Sequence, residues 1–263
     1  EDTIAPSAIV DLASSEITAT TLTLSWSPVP DNIGVVNYEI FQNGFSIGDS
    51  GTTPSYTVTG LSDATAYVFT VFATDAAGNV SNTSNILIVT TQDSTAPSAI
   101  IDLAAANTTA TTTELSWSAS TDNVGVTNYV ILQDGVRIGN AGNNLGFRVL
   151  GLSTATSYSF SVLAQDAAGN ESLSSNSISI TTLDSQVPTS VTDLVASNVT
   201  ASSVDLTWSA STDNVGVTDY EIYQDGLPIA NVGTNLFFNI SGLTNATEYS
   251  FTVLALDAEG NSS

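Results

Sequence analysis

Nine aspartates carry what chemistry this chain offers, and they come in three matched sets: Asp2, Asp31 and Asp75; Asp93, Asp122 and Asp166; Asp184, Asp213 and Asp257. Corresponding members lie 91 residues apart. Three carboxylates brought to one point supply hard oxygen ligands of the kind Ca²⁺ takes, six to eight at a time, with Asn32, Asn123 or Asn214, backbone carbonyls and water able to complete the shell. The same residues have a plainer use. Asp-Asn ahead of Gly34, Gly125 and Gly216, and the Asp-Ala-Ala-Gly-Asn run at Asp75 and Asp166 with its Asp257 counterpart, are turn formers whose side chains bond their own backbone. Spacing leaves both readings open. Asp122 with Asp166 would also serve as the acid and base of a hydrolase, but repetition would then put three such pairs on one short chain with no evident cleft, so the chain reads as non-catalytic.

Composition narrows the field further. The 263 residues contain no Cys, Met, His or Lys, and Arg137 and Arg148 are the only side-chain cations against 26 carboxylates. Thiol and imidazole nucleophiles, Ser-His-Asp triads and the usual zinc sites are therefore excluded. A net charge of −24 repels phosphate backbones and anionic headgroups, which argues against nucleic acid or membrane partners and for hard cations. No apolar run approaches the length of a membrane span, and Glu1-Asp2-Thr3 is neither a start Met nor a signal peptide, so the chain reads as processed or excerpted.

The elements that must position these acids are also repeated. LSWSASTDNVGVTNYVILQDG at Leu115–Gly135 recurs almost letter for letter at Leu206–Gly226 and more loosely at Leu24–Gly44. Trp26, Trp117 and Trp208 hold the same register, as do Pro6, Pro97 and Pro188 and the Gly-Leu pairs at Gly60, Gly151 and Gly242. Such a period sets the domain count: residues 1–92, 93–183 and 184–263. Within a repeat the apolar residues alternate with period two, which predicts strands. In the first copy these are Ile9–Leu12, Thr21–Trp26, Asn37–Gln42, Phe45–Ile47, Tyr56–Val58, Tyr67–Ala73 and Ile86–Thr90. Asn43-Gly44, Asp134-Gly135 and Asp225-Gly226 are two-residue hairpin turns. Seven short strands without helical periodicity predict an all-β, antiparallel two-sheet sandwich per repeat, its core built on the tryptophans. The third repeat has no counterpart of Ile86–Thr90 and is expected to lack its last strand, leaving an edge that later sequence or a neighbouring chain would cover.

Together the leading Pro, the Trp, Tyr38 and its equivalents, the Leu-to-Tyr spacing before Tyr67, Tyr158 and Tyr249, and the DAAGN turn resemble the fibronectin type III family. More narrowly, TDNVGV, QDG and DAAGN are similar to the bacterial branch found beside catalytic domains of secreted polysaccharide-degrading enzymes and in surface adhesins. The resemblance implies Ig-like sandwiches, a structural tie through each of those tyrosines, and loops that gather the three aspartates of a repeat at the pole where its chain comes in. It also implies an extracellular or cell-surface, non-catalytic rod, a stalk or filament segment of an adhesin, or alternatively a spacer or carbohydrate-binding accessory of such an enzyme. Partners would be neighbouring protein in a longer chain or filament, or extracellular glycans. Phe41 with Phe72, Leu132 with Leu163, and Tyr223 with Leu254 are outward stripes that could meet such a partner. Asn-x-Ser/Thr sequons at Asn79, Asn82, Asn107, Asn170, Asn198, Asn239, Asn245 and Asn261 would make a glycoprotein in a host that modifies them. The short segments Asp2-Thr3-Ile4 and Asp93-Ser94-Thr95 offer O-glycosylation acceptors.

Overall fold

The computed structural model describes residues 2–263 and is all β. Backbone packing gathers the chain into two compact units, Glu1–Ile100 with Ala119–Val130 and Leu163–Ser174, and Ile101–Ser118 with Ile131–Val162 and Ser175–Ser263. In the first copy seven strands follow one another: β1 (Ala13–Ser15), β2 (Thr21–Ser25), β3 (Val35–Gln42), β4 (Phe45–Asp49), β5 (Ser55–Thr59), β6 (Ala66–Asp75) and β7 (Leu87–Thr90). They make two antiparallel sheets, β1-β2-β5 and β4-β3-β6-β7. The middle copy lays out the same seven, β8 (Ala104–Ala106), β9 (Thr112–Ser116), β10 (Val126–Gln133), β11 (Val136–Asn140), β12 (Gly146–Leu150), β13 (Ser157–Asp166) and β14 (Ile178–Thr181). The last copy has β15 (Val195–Ser197), β16 (Ser203–Thr207), β17 (Asp219–Gln224), β18 (Leu227–Asn231), β19 (Phe237–Ser241) and β20 (Phe251–Leu256), as sheets β15-β16-β19 and β18-β17-β20.

Alternation does the folding. Along β6 the inward residues Tyr67, Phe69, Val71 and Ala73 are buried, as are Leu22 and Leu24 of β2 and Tyr38 and Ile40 of β3. Each large side chain taken from water contributes roughly 1.5–3 kcal/mol, enough in sum to hold a core without disulfides. Trp26 sits just past β2, buried, with its ring edge-on to Tyr38 at 5.3 Å. The Tyr67, Tyr158 and Tyr249 hydroxyls accept the backbone N–H of Ser62, Ser153 and Thr244 at 2.8, 2.9 and 3.0 Å, which is the expected corner tie. At the hairpin turns Asn43 and Gly44 have φ of 51° and 85°, the left-handed pair a tight β3–β4 turn requires.

Two features differ from the expected strands or sharpen them. Ile9–Leu12 is buried at both ends yet is not a strand; β1 begins at Ala13. The reason is Asn85. Its backbone N–H reaches Ile9 O at 3.2 Å, and its side chain accepts from Leu12 N–H at 2.8 Å and donates to Leu12 O at 3.0 Å. One amide thus satisfies the backbone that a neighbouring strand would otherwise pair, and Asn176 does the same for Leu103. In the last copy, among the described residues, no strand pairs with the far edge of β20. Correspondingly β20 starts only at Phe251, whereas β6 starts at Ala66, paired with Thr90 of β7.

Beyond the stretch β7 covers, the edge of β6 that faces away from β3 is closed by side chains. Ser84 Oγ accepts from Val71 N–H at 3.0 Å and Ser81 Oγ from Ala73 N–H at 2.9 Å. Their own N–H groups return to Val71 O and Ala73 O at 3.0 and 2.9 Å. Ser172 repeats this on Ala164 and Ser263 on Ala255.

Candidate acidic pole of each repeat

The inward alternation of β6 does not stop at Ala73; its next inward position is Asp75, 2% exposed. Asp166 and Asp257 end in the same way, at 3% and 4%. Asp75 Oδ1 accepts from the N–H groups of Ala77 and Asn79 at 2.9 and 2.8 Å, and Oδ2 from Asn79 Nδ2 at 2.8 Å. The turn after the strand is folded around this carboxylate. Asn170 and Asn261 bond Asp166 and Asp257 in the same manner.

The second aspartate lies in the loop before β3 or its equivalent. Asp31 Oδ2 accepts from Ile33 and Gly34 N–H, both at 2.9 Å. Asp122 Oδ2 takes Val124 and Gly125 at 2.9 and 2.8 Å, and Asp213 Oδ2 takes Val215 and Gly216 at 2.9 and 3.0 Å. These are Asx turns, as the plainer reading expects. They use one oxygen of each carboxylate. The other, Oδ1 of Asp31, Asp122 and Asp213, is sealed from solvent with no hydrogen-bond partner.

The third aspartate precedes the leading Pro of its repeat. Asp2 Oδ1 accepts from Ile4 N–H and from Asn32 Nδ2 at 3.1 and 2.9 Å. Asp93 Oδ1 accepts from Thr95 N–H at 3.1 Å and Asn123 Nδ2 at 3.2 Å. Asp184, 7% exposed, takes Gln186 N–H, Asn214 Nδ2 and Thr154 Oγ1 on its Oδ1 at 3.0, 3.1 and 3.1 Å. Oδ2 of Asp93 and Oδ2 of Asp184 are enclosed and unpartnered. In every repeat the three carboxylates each place an oxygen within 4.8 Å of the other two. The nine aspartates singled out by spacing therefore do converge, three by three.

Away from the poles several carboxylates are tied to the fold. A Ser118 hydroxyl, with its backbone N–H, holds the Asp102 carboxyl below its ordinary value; Ser27 does so for Asp11 and Ser209 for Asp193. The Asn239 and Asn198 side chains lower Asp205. A carboxyl depressed in the folded state stabilises the fold above its unfolded pKa, about 3.9, and that stabilisation is lost as pH falls through the folded value. Protonation also relieves the repulsion of the −24 charge, but these four shifts all run downward, so the denaturant midpoint in chelator is expected to fall between pH 7 and pH 3. A midpoint that rises in acid would mean that general repulsion dominates.

The family model for the Fibronectin type III domain matches residues 5–90, 95–181 and 189–263. The chain belongs to the fibronectin type III family. Its modules are similar to part of Exoglucanase B of Cellulomonas fimi, 38% identical over 99% of this chain and 25% of that protein, and to part of Exoglucanase A of the same organism, 44% over 99% and 31%. Chitinase A1 of Niallia circulans is 43% identical over 64% of this chain and 25% of its own length. The chain thus spans about a quarter to a third of the length of these curated relatives.

On the fibronectin type III sheets the expected stripe residues Phe41, Phe72, Leu132, Leu163, Tyr223 and Leu254 are all half-buried. Phe41 and Phe72 lie edge to face at 5.3 Å, and Tyr223 donates its hydroxyl to Glu221 at 2.9 Å. More open are Phe45, Val136 and Leu227, 66–77% exposed just after the hairpin turns, which the alternation of β3 and its equivalents gave no reason to single out. Of the sequons, Asn79, Asn170 and Asn261 spend their side-chain amides on the pole aspartates, Asn107 on Glu114, and Asn198 and Asn239 on Asp205. Asn82 and Asn245 are exposed. Among the described residues no helix is long and apolar enough to cross a membrane.

Proposed function

We propose that these three fibronectin type III modules are a non-catalytic accessory region of a secreted polysaccharide-degrading enzyme, carrying its catalytic domain beside other modules of the same polypeptide. One observation carries this reading: nearly the whole chain, 99%, is similar to segments that make up only 25–31% of two proteins named as exoglucanases. The residues agree with it, since the chain has no Cys or His to act as nucleophile or base, and Asp31 and Asp75 accept from the backbone of their own turns. Fixed repetition at 91 residues equally suits a stalk or filament segment of an adhesin, the second reading.

Intact mass and peptide mapping of the natural protein separate the two. A catalytic domain in the same polypeptide supports the accessory role. Flanking sequence made only of further repeats of this kind overturns it in favour of the stalk.

A further inference from the structure

We propose that the acidic pole of each module binds one calcium ion, held by Asp2, Asp31 and Asp75, by Asp93, Asp122 and Asp166, and by Asp184, Asp213 and Asp257. Grouped acids are common on an anionic surface and imply nothing by themselves. What points to a ligand is the set of oxygens left over. Among the described residues, the carboxylate oxygens that are sealed from solvent and lack any donor are Asp31 Oδ1, Asp93 Oδ2, Asp122 Oδ1, Asp184 Oδ2 and Asp213 Oδ1, and every one belongs to these poles.

The last pole states the case most fully. Asp184 is 7% exposed; its Oδ1 collects three donors while its Oδ2 has none. Asp213 turns Oδ2 to its own loop and leaves Oδ1 dry and unpaired. An Asx turn explains one oxygen of Asp213 and leaves the other without a reason. Buried acceptors are ordinarily satisfied, and a charged one left bare is costly. The chain's only side-chain cations, Arg137 in β11 and Arg148 in β12, both lie outside the last copy, so a cation from solution is the partner that fits.

Ligand type and coordination preference point to calcium. Hard oxygens without nitrogen or sulfur exclude the usual zinc arrangements. Oxygens around one Ca²⁺, at about 2.4 Å each, lie at most about 4.8 Å apart, and the three carboxylates of each cluster place oxygens within that limit of one another. Mg²⁺ draws its ligands closer, demands near-ideal octahedral geometry and gives up water reluctantly. The remaining Ca²⁺ ligands would be water or nearby carbonyls.

The test is calorimetric titration of the whole chelator-stripped chain with calcium chloride, with melting followed in parallel. Three ions per chain are expected, with a raised melting temperature that sodium chloride at equal ionic strength does not reproduce, and magnesium binding at least roughly tenfold weaker. Asp213→Asn keeps an acceptor for Val215 and Gly216 and should reduce the count to two. The triple variant Asp31→Asn, Asp122→Asn, Asp213→Asn should bind none, melt above the parent in chelator because like charges are gone, and melt below it in calcium. That reversal separates a metal site from a merely structural turn; if Asp213→Asn does not fold, Asp184→Asn makes the same measurement. No binding heat, a melting shift matched by sodium chloride, or a count that stays at three in the single variant overturns the proposal.

Discussion

Phe160→Ala is expected to destabilise the middle module by about 3–5 kcal/mol. The ring is 0% exposed, second in the inward series Tyr158, Phe160, Val162 and Ala164, and lies 6.3 Å from the Tyr158 ring. Removing it deletes buried apolar surface and leaves a void in a wall of backbone-paired strands, where neighbours collapse inward only partly. A small domain is stable by roughly 5–15 kcal/mol in all, so this one change takes a large share of it. Phe160→Leu keeps more of the volume and should cost clearly less than the alanine variant. Equilibrium denaturation in urea, followed by tryptophan fluorescence, measures both. A loss below about 1 kcal/mol for the alanine variant would mean the core is looser than its burial indicates.

The second large effect comes from two hydroxyls. Ser81→Ala with Ser84→Ala should cost roughly 2–6 kcal/mol, because each strips the acceptor from a buried backbone N–H, on Ala73 and on Val71, at about 1–3 kcal/mol apiece. Both serines are nearly enclosed, at 5% and 4% exposure, and no water can replace them easily. Threonine at the same positions keeps the oxygen and is the control for volume. Hydrogen exchange gives the decisive readout: the amides of Val71 and Ala73 should lose protection ahead of the rest of β6. Equal protection in parent and double variant would mean the hydroxyls are incidental.

Neither serine stands out in the sequence, where Ser and Thr are everywhere. The strands themselves were legible because burial on one face enforces alternation, but the expected strand stops at Ala73 and leaves Asp75 to the following loop, whereas β6 runs on to Asp75 and buries it. Convergence of Asp2, Asp31 and Asp75 was legible through the repeat and the resemblance that it carries. What periodicity cannot reveal is a backbone satisfied by something other than another strand. Ile9–Leu12 has the apolar spacing of a strand but is paired by the Asn85 amide, 73 residues away in sequence from Leu12. Similarly, the unpartnered oxygen of Asp213 depends on which of two equivalent atoms the loop turns inward, a matter of local torsion that spacing does not encode. Phe45 is exposed for a related reason: it opens β4, an outer strand of its sheet in which neither Phe45 nor Ser46 is covered.

The position of the two arginines bears on survival among proteases. Trypsin-like enzymes cut after Lys or Arg, and here they find only Arg137 in β11 and Arg148 in β12. Both side chains are exposed, yet Arg148 lies opposite Glu114 inside a paired ladder, and a protease must lift such a segment out to thread it through its cleft. The first and last modules offer these enzymes no bond at all. Digestion of the intact chain by trypsin is thus a clock that reports the opening of the middle module alone, whatever its two siblings are doing.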